Sequence, residues 1–401
     1  MNFQRLNDRF EYLKQNFQTA DSHGFNRLAF SSEEKAAIDW IIELVSKYPV
    51  EVHRDSIGNC FIRYKGKTDQ TIAFGSHMDT VKNGGLLDGA LGVLAALECL
   101  ESWIEEDFKP EKSIELIIFV AEEANPLGGT FGSRVFTGEY SIPQNEEILS
   151  QVGLTSEQIA NARNTKAYEA FIELHIEQGN ILEDQQIEIG IVNAIAGIIR
   201  TKINIYGDAR HAGTTPMNKR NDALVKASPF IQFANQLPNS ISGIVCTIGE
   251  LHVKPNLPSV VPGEIEMVVE IRGDRYENMV EAENRLQKYL SHNNLHFDFE
   301  RTVTKIPNEM NTTLQQVIKE SCDQLGFSNL IMYSGATHDA KSMSNICPSG
   351  MIFIPSKNGI SHHPDEFSEW KDIEKGSTLL KEVIQKLSLM KEDIFYEYGN
   401  A

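Results

Sequence analysis

The segment IELIIFVAEEANP, Ile114–Pro126, indicates the fold class of this 401-residue chain. Seven of its first eight residues are apolar, which is typical of a strand buried on both faces of a sheet. The helical pattern DGALGVLAALECLESWIEE precedes it, and two strand-like segments, NCFIRYKG and TIAFGSHMD, precede that helix. Strands that alternate with helices predict an α/β domain with a mixed, mostly parallel sheet flanked by helices.

Two adjacent carboxylates, Glu122 and Glu123, follow this strand. Adjacent like charges repel, and a buried carboxylate without a partner is costly. The pair is explained if a strongly positive group, such as a metal cation, lies beside it. The alternative is an ordinary solvated helix start, where negative charge is favourable.

The pattern changes near residue 196. Four strand-like segments and two helices follow in the order strand, helix, strand, strand, helix, strand, which is typical of a self-contained α+β sandwich. The α/β pattern then resumes with TLQQVIKESCDQLG, NLIMYS and MIFIPS. We therefore predict a discontinuous catalytic domain, residues 1–195 and 309–401, with a smaller domain, residues 196–308, inserted into it.

Composition excludes several classes of function. The net charge of -19, with no basic stripe to offset it, argues against nucleic-acid binding. No apolar run is long enough to predict a membrane span, and the first residues lack the apolar region of a secretory signal. The five cysteines are scattered and form no CxxC motif, as expected for unpaired thiols in a reducing compartment. We predict a cytoplasmic protein.

Further metal-binding side chains follow predicted strands or a Gly-rich loop. They are His77, Asp79, Asp88, His175, His362 and His363. In open α/β sheets, ligands collect beyond the carboxyl ends of the strands. Three histidines, a shared aspartate and another carboxylate fit a pair of divalent cations, and zinc or manganese accepts such nitrogen and oxygen ligands. One glutamate of the pair would then bind metal, and the other would take a proton from metal-activated water.

Each motif alone has an ordinary explanation. His77 and Asp79 could form a hydrogen-bonded loop pair, His175 could be a strand-end histidine, and SHHP could be a turn. Their joint occurrence at strand exits favours a metal site.

Seven motifs together resemble one known family. They are GSHMDTV, GGLLDGALGVLAALE, AEEANPLGGTFGSRVFTG, ELHIEQG, HAGTTPM, GATHDA and SHHPDE, from about residue 60 to 370. The chain resembles the amidase/hydantoinase/carbamoylase branch of the M20 dinuclear metallohydrolases. This branch includes N-carbamoyl-L-amino acid hydrolases, β-ureidopropionases and allantoate amidohydrolases. The motifs HIEQG and HAGTTPM separate it from ordinary M20 peptidases and aminoacylases.

The resemblance implies a role for each candidate in the larger domain. Two divalent ions per subunit, zinc or else manganese, cobalt or nickel, would be held by His77, Asp88 (bridging), Glu123, His175 and His362. His362 is chosen over His363 because the family's ligand directly follows the serine. Glu122 matches the general base, and Asp79 matches the residue that orients the first histidine.

The resemblance also implies roles in substrate binding. His211 matches the histidine that family dimers send to the partner's active site, where it contacts the substrate and stabilises the oxyanion. Arg272 matches the arginine that binds the substrate carboxylate, and Gln178 matches a substrate-contacting amide. The inserted domain would then be a dimerisation and lid domain of a homodimer. As isolated residues, these three have surface-loop, strand-end and turn explanations.

We therefore expect a metal-dependent amidohydrolase that cleaves the carbamoyl C–N bond of an N-carbamoyl-L-amino acid or a related, allantoate-like ureide. A metal-bridging hydroxide would attack, with Glu122 as general base and acid. The alternatives are an aminoacylase or dipeptidase on the same site, and a non-catalytic binding protein. Ser259 and Thr337 depart from the family's frequent asparagine and glycine, which leaves the exact substrate open.

Overall fold

The computed structural model describes residues 1–19, 23–142 and 146–390. The strands are β1 Glu51–Arg54, β2 Cys60–Tyr64, β3 Thr68–His77, β4 Lys112–Phe119, β5 Ala170–Ile176, β6 Ile189–Ile195, β7 Gly197–Tyr206, β8 Arg210–His211, β9 Ile244–Lys254, β10 Val260–Val261, β11 Glu264–Gly273, β12 Phe297–Lys305, β13 Asn308–Glu309, β14 Asn329–Ser334 and β15 Ser349–Ile354.

The α-helices are α1 Phe3–Phe17, α2 Ser32–Val45, α3 Ala90–Glu105, α4 Phe131–Phe136, α5 Glu147–Gln151, α6 Ser156–Asn161, α7 Ile181–Gln185, α8 Ala223–Gln236, α9 Tyr276–His292, α10 Thr312–Leu325, α11 Asp339–Met343 and α12 Trp370–Leu389. Short 3-10 helices lie at Met217–Lys219, Leu237–Asn239 and Lys357–Gly359.

The chain forms two compact units, each with its own apolar core. The larger unit contains Met1–Asn193, Met310–Met332 and the chain from Ala336 onward. The smaller unit contains Ala194–Glu309 and Tyr333–Gly335. The catalytic domain predicted from the sequence also includes residues 391–401, which lie outside the described residues.

The larger unit is built on a mixed sheet with the strand order β1-β2-β4-β3-β5-β15-β6. The central pairs β4–β3, β3–β5 and β5–β15 are parallel, whereas β1–β2, β2–β4 and β15–β6 are antiparallel. Helices α3 and α12 pack against the central strands. The predicted mixed, mostly parallel sheet flanked by helices is confirmed.

The parallel centre of this sheet brings distant residues to one edge. Strand β3 ends at His77, β4 ends three residues before Glu122, and β5 ends one residue after His175. Helix α3 lies unusually close to the same strand ends at Gly92. A Cβ on Gly92 would lie 2.5 Å from the Leu174 carbonyl oxygen and 2.8 Å from Ser76 Cβ, so only glycine allows this approach.

The smaller unit has a four-stranded antiparallel sheet with the order β12-β7-β11-β9, on which α8 and α9 pack. Along β11 the buried and half-buried residues alternate strictly, as expected for a sheet with one face against a core. The principal elements follow the predicted order strand, helix, strand, strand, helix, strand, so the α+β sandwich is confirmed.

No helix in the described ranges is both long and apolar enough to cross a membrane. All five cysteines are free thiols, and burial raises the pKa of Cys60 to about 12. A buried thiol that resists ionisation is chemically inert, so Cys60, Cys99, Cys322 and Cys347, which are all buried, are not candidate nucleophiles.

Candidate metal centre

The five predicted ligands lie together, with Asp88 between the other four. Its Oδ1 lies 3.2 Å from His175 Nε2 and 3.5 Å from His77 Nε2. Its Oδ2 lies 3.2 Å from His362 Nε2, which in turn lies 3.4 Å from Glu123 Oε1. Asp88 therefore presents one oxygen to each of two sets of donors.

These sets are two of the residue groups in the described chain that could hold a metal ion. We call His77, Asp88 and His175 the inner group, since all three side chains are buried. We call Asp88, Glu123 and His362 the outer group, because the His362 side chain is 49% exposed. His363 instead lies 3.5 Å from Asp365, and its side chain is 58% exposed. The structure therefore brings His362, and not His363, close to Asp88. We call the inner and outer groups, together with Glu122, the cage.

Asp79 holds two parts of the cage at once. Its Oδ1 lies 3.3 Å from His77 Nδ1, the contact expected of a residue that orients this ring. Its carboxylate also accepts hydrogen bonds from the backbone N–H groups of Glu122, at 3.1 Å, and Glu123, at 2.9 Å. The sequence predicted the first contact and missed the second, which fixes the glutamate pair beside His77.

The tautomer of His175 suits a metal ligand. Its Nδ1 lies 2.9 Å from the Ile176 carbonyl oxygen, and its Nε2 is 3.2 Å from the Gly89 backbone N–H. A donating Nδ1 and an accepting Nε2 define the neutral imidazole with its lone pair on Nε2. Nε2 also lies 3.2 Å from Asp88 Oδ1, so both atoms are placed to serve as donors to one cation.

The carboxylates of this site also favour a positively charged ligand. Burial, reinforced by Asp88, raises the pKa of Glu123 to about 7, and burial raises the pKa of Glu122 well above its usual range. Glu123 Oε1 is buried and has no hydrogen-bond partner among the described residues. Nitrogen and oxygen donors of this kind fit zinc, manganese, cobalt or nickel, so the residues fit the predicted cofactor.

Glu122 lies beside the inner group without belonging to either group. Its Oε2 is 3.7 Å from His77 Nε2, and only 8% of the residue is exposed. The glutamate pair lies in a loop rather than at a helix start, so the solvated-helix alternative is wrong. A buried carboxylate next to a cation site is suited to proton transfer.

Three segments reach the cage with unusual backbone geometry. Ala121, Gln178 and His362 all have positive φ angles, between 55° and 59°. Such angles cost of order 1–3 kcal/mol at non-glycine residues and concentrate at functional sites. Some of the backbone strain of the described residues therefore lies next to the glutamate pair, at Gln178 and at His362.

Gln178 contacts the cage directly. Its Nε2 donates to Asp88 Oδ2 at 2.7 Å, and its backbone N–H donates to Ser356 Oγ at 3.0 Å. The side chain therefore helps to orient the Asp88 carboxylate. A contact between Gln178 and substrate stays a prediction.

His211 and Arg272 lie in the smaller unit. The exposed His211 accepts hydrogen bonds at Nδ1 from the backbone N–H groups of Gly213, at 3.1 Å, and Thr214, at 3.2 Å. A neutral His211 therefore carries its proton on Nε2. Arg272 donates from Nε to Glu270 at 2.6 Å and from Nη1 to the Gly335 carbonyl at 3.0 Å. Their predicted substrate contacts stay predictions.

The two positions that depart from the family are exposed. The Ser259 carbonyl accepts a hydrogen bond from the Ala212 N–H at 2.7 Å, so its backbone supports the His211 loop. Thr337 directly precedes His338, whose ring centroid lies 4.5 Å from that of His175. Their effect on substrate choice stays a prediction.

Three buried residues that organise the cage were missed from the sequence. Glu34 accepts hydrogen bonds from the Ala121 and Phe30 N–H groups, each at 2.7 Å. Arg27 donates to the Met78 carbonyl, and Glu366 accepts from the Asp88 N–H. Glu366 lies within the motif SHHPDE. Its place in this motif was the one feature of the sequence that could have indicated its role.

The family follows from comparison with known proteins. The family model described as "Peptidase family M20/M25/M40" matches residues 73–386, more than half of the chain. The chain belongs to this family. The family members are hydrolases, and this M20 protein is a hydrolase of carbon–nitrogen bonds.

Several relatives match this M20 hydrolase over nearly its whole length. An uncharacterised hydrolase of Haemophilus influenzae is 38% identical, over 96% of this chain and 98% of the relative. An N-carbamoyl-L-amino acid amidohydrolase of Geobacillus stearothermophilus is 33% identical over the same shares. The allantoate amidohydrolase of Bacillus subtilis is 32% identical, over 96% of this chain and 97% of the relative.

A solved structure of a similar protein also matches this chain over nearly its whole length. The crystal structure of an amidase of the hydantoinase/carbamoylase family from Burkholderia multivorans aligns with a TM-score of 0.87 and 27% identity. The alignment covers 97% of this chain and 98% of that one. The resemblance identified from the motifs is therefore confirmed at the level of the family and its fold.

Proposed function

We propose that this M20 hydrolase is a metal-dependent amidohydrolase that cleaves the carbamoyl C–N bond of an N-carbamoyl-L-amino acid or a related ureide such as allantoate. The observation that carries the proposal is the position of Asp88, with one oxygen in each of two donor groups and Glu122 beside them. Relatives of about 32–33% identity named for these two substrate classes support the choice.

The inner group would hold one divalent cation and the outer group a second, with Asp88 shared between them. When bound, the two cations would polarise the carbonyl group and lower the pKa of coordinated water towards about 7. Zinc, manganese, cobalt and nickel all suit the donors, so availability would decide among them.

Glu122 would act first as base and then as acid. Its buried carboxylate would take a proton from the attacking water and deliver it to the leaving nitrogen. Glu122 is only 8% exposed and its Oε2 lies 3.7 Å from His77 Nε2, so its carboxylate is held beside the inner group, within reach of the attacking water. Asp79 would keep Glu122 in place through the backbone N–H it binds. Hydrolysis of a carbamoyl amino acid would consume one water and yield ammonia, carbon dioxide and the free amino group.

We expect three further residues, His211, Arg272 and Gln178, to contact the substrate. His211 presents a proton on Nε2 at the surface, as a donor to a developing oxyanion requires. We propose that it acts in the partner subunit's site of a homodimer. The exposed edge strand β9, with Val245 and Leu251 at the surface, offers an edge for such pairing. Arg272 would bind the substrate carboxylate, and the smaller unit would act as lid. A cytoplasmic location fits the free thiols.

The base assignment is tested with Glu122→Gln. The amide keeps the size of the side chain but cannot accept the proton, so kcat should fall by about 10²–10⁴-fold. Cation content, measured by elemental analysis, should stay the same because Glu122 belongs to neither donor group. The control Glu33→Gln changes an exposed glutamate and should keep full activity. Near-normal turnover by Glu122→Gln would remove the base from the proposal.

The substrate class is tested with N-carbamoyl amino acids, allantoate, N-acetyl amino acids and dipeptides on cation-reconstituted enzyme. Ammonia release from a carbamoyl or ureide substrate is the expected result. Cleavage of acyl or dipeptide substrates alone would assign an aminoacylase or dipeptidase.

The dependence on cations is tested by removing them with a chelator. Turnover should be abolished, and it should return when the cations are supplied again. Unchanged activity in the stripped protein would contradict the proposal.

A further inference from the structure

Glu366 connects two halves of the cage that are far apart in the sequence. Its Oε1 accepts hydrogen bonds from the backbone N–H groups of Leu87, at 2.8 Å, and Asp88, at 2.9 Å. Its Oε2 lies 2.8 Å from the hydroxyl of Ser361, the residue before His362. That hydroxyl also lies 3.1 Å from Asp88 Oδ2. One buried carboxylate therefore contacts the loop of the bridging ligand and the segment of the outer histidine.

The loop before Asp88 is shaped around this carboxylate. A Cβ on Gly85 would lie 2.1 Å from Glu366 Cδ and Oε1, so the loop passes against the carboxyl group without room for a side chain. Glu366 itself is only 6% exposed. A buried carboxylate with three donors around it is an anchor point rather than a surface charge.

We propose that Glu366 is a positioning residue that sets the affinity of the outer group for its cation. The inference rests on the proposed two-cation hydrolysis and deepens it. In the inner group, His77 and His175 belong to strands, since His77 is the last residue of β3 and His175 is the residue before the last of β5. In the outer group, His362 lies on a loop with positive φ and a half-exposed side chain. The position of His362 relative to Asp88 therefore depends on the contacts of Glu366 and Ser361 more than the positions of His77 and His175 do.

The expected consequence is selective. Loss of the Glu366 carboxylate frees the Asp88 loop from the His362 segment, and the outer donors then separate. Residues that orient ligands in this way typically change metal affinity by about 10–100-fold. The inner cation should keep nearly its full affinity, because two of its three ligands do not depend on Glu366.

The test uses the full chain, stripped with a chelator and titrated with Zn²⁺ in competition with a chromophoric chelator. The wild type should bind two cations per chain. Glu366→Ala should bind the first almost normally and the second about 10–100-fold more weakly. Glu366→Gln should retain both, because its amide oxygen accepts the same two N–H groups. The control Asp365→Asn alters the adjacent exposed residue and should leave both affinities unchanged.

Activity supplies a second readout. Excess cation should restore kcat of Glu366→Ala, since a weak site fills at high concentration, whereas a variant with general structural damage would not recover. If Glu366→Ala does not fold, as judged by circular dichroism, Ser361→Ala removes only the hydroxyl link and should weaken the second cation alone.

The outcomes separate the two proposals. Two tight cations in both Glu366→Ala and Ser361→Ala overturn the role of Glu366 and leave the proposed hydrolysis intact. An equal loss in Glu366→Gln and Glu366→Ala also overturns it, because hydrogen-bond acceptance would then not matter. Fewer than two cations in the wild type would overturn the two-cation mechanism and this inference with it.

Discussion

Gly89 shows how closely a single residue limits the inner group. Its φ angle is +67°, and a Cβ there would lie 2.4 Å from His77 Cε1. The residue after Asp88 must therefore be glycine for two reasons, one conformational and one steric. Gly138 shares the first reason only, because its φ is +80° and a Cβ added there would meet no atom of the described residues within 4 Å.

This difference gives a matched pair of variants. Gly89→Ala and Gly138→Ala should each lose about 1–3 kcal/mol of unfolding free energy from backbone strain. Only Gly89→Ala should also displace His77 and weaken the inner cation. Urea unfolding and cation titration measure the two effects separately. Equal cation affinity in both variants would show that the His77 ring tolerates displacement.

At the residue scale, the role of a side chain could be predicted where the residue belongs to a motif, and not elsewhere. The ligand candidates could be named because histidines and carboxylates followed apolar strands. Arg27 carried no such signal, yet it is fully buried and donates to the Met78 carbonyl at 2.7 Å. Burial lowers the pKa of Arg27 to about 10, with Asp79, Glu366 and Asp88 acting in the opposite direction. It remains a cation at neutral pH, and its position among the cage carboxylates is a product of the tertiary fold.

Helix α3 illustrates how an element can be predicted while its partner is not. Its apolar pattern predicted a buried helix, and the helix lies at Ala90–Glu105. The pattern did not reveal that Glu98 and Glu101 on α3 are both fully buried. They pair with Arg5 and Arg9 on α1, and such a pairing between distant helices leaves no periodic trace in either sequence.

This buried pairing predicts that breaking it lowers the free energy of unfolding more than breaking an exposed ion pair does. Arg9→Met should cost about 3 kcal/mol, because it leaves Glu101 buried with reduced compensation. The control Lys35→Met breaks an exposed pair with Asp39 and should cost less than about 0.5 kcal/mol. Urea unfolding of the cation-loaded protein measures both. A loss below about 1 kcal/mol for Arg9→Met would mean that Arg5 alone compensates both glutamates.

Strands were predictable where burial imposed a pattern. The fully buried β4 and β5 were visible as apolar runs, and the alternating β11 was visible by its period of two. Strand β1, Glu51–Arg54, was missed because it is mostly exposed and its residues are mixed in polarity. Its pairing with β2 is decided by position in the sheet rather than by local sequence.

At the scale of the whole molecule, the two units divide the proposed chemistry. Every residue of the two donor groups lies in the larger unit, whereas His211 and Arg272 lie in the smaller one. The change of strand pattern indicates where the insertion begins and ends, but it gave no sign that Tyr333–Gly335 belong to the smaller unit. It does not show in which subunit of the proposed homodimer His211 would act, since both alternatives use the same chain.

Mixed dimers distinguish these alternatives. If His211 acts in the partner's site, a heterodimer of Glu122→Gln and His211→Ala subunits has one site with both defects and one with none. Co-expression of the two inactive variants at equal levels, with different tags, should then restore about a quarter of wild-type activity, because half of the dimers are mixed. If His211 acts within its own subunit, every site carries one defect and no activity returns. Purification through both tags in series should raise the recovered activity to about half of the wild-type value, and its failure to rise would contradict the exchange of His211 between subunits.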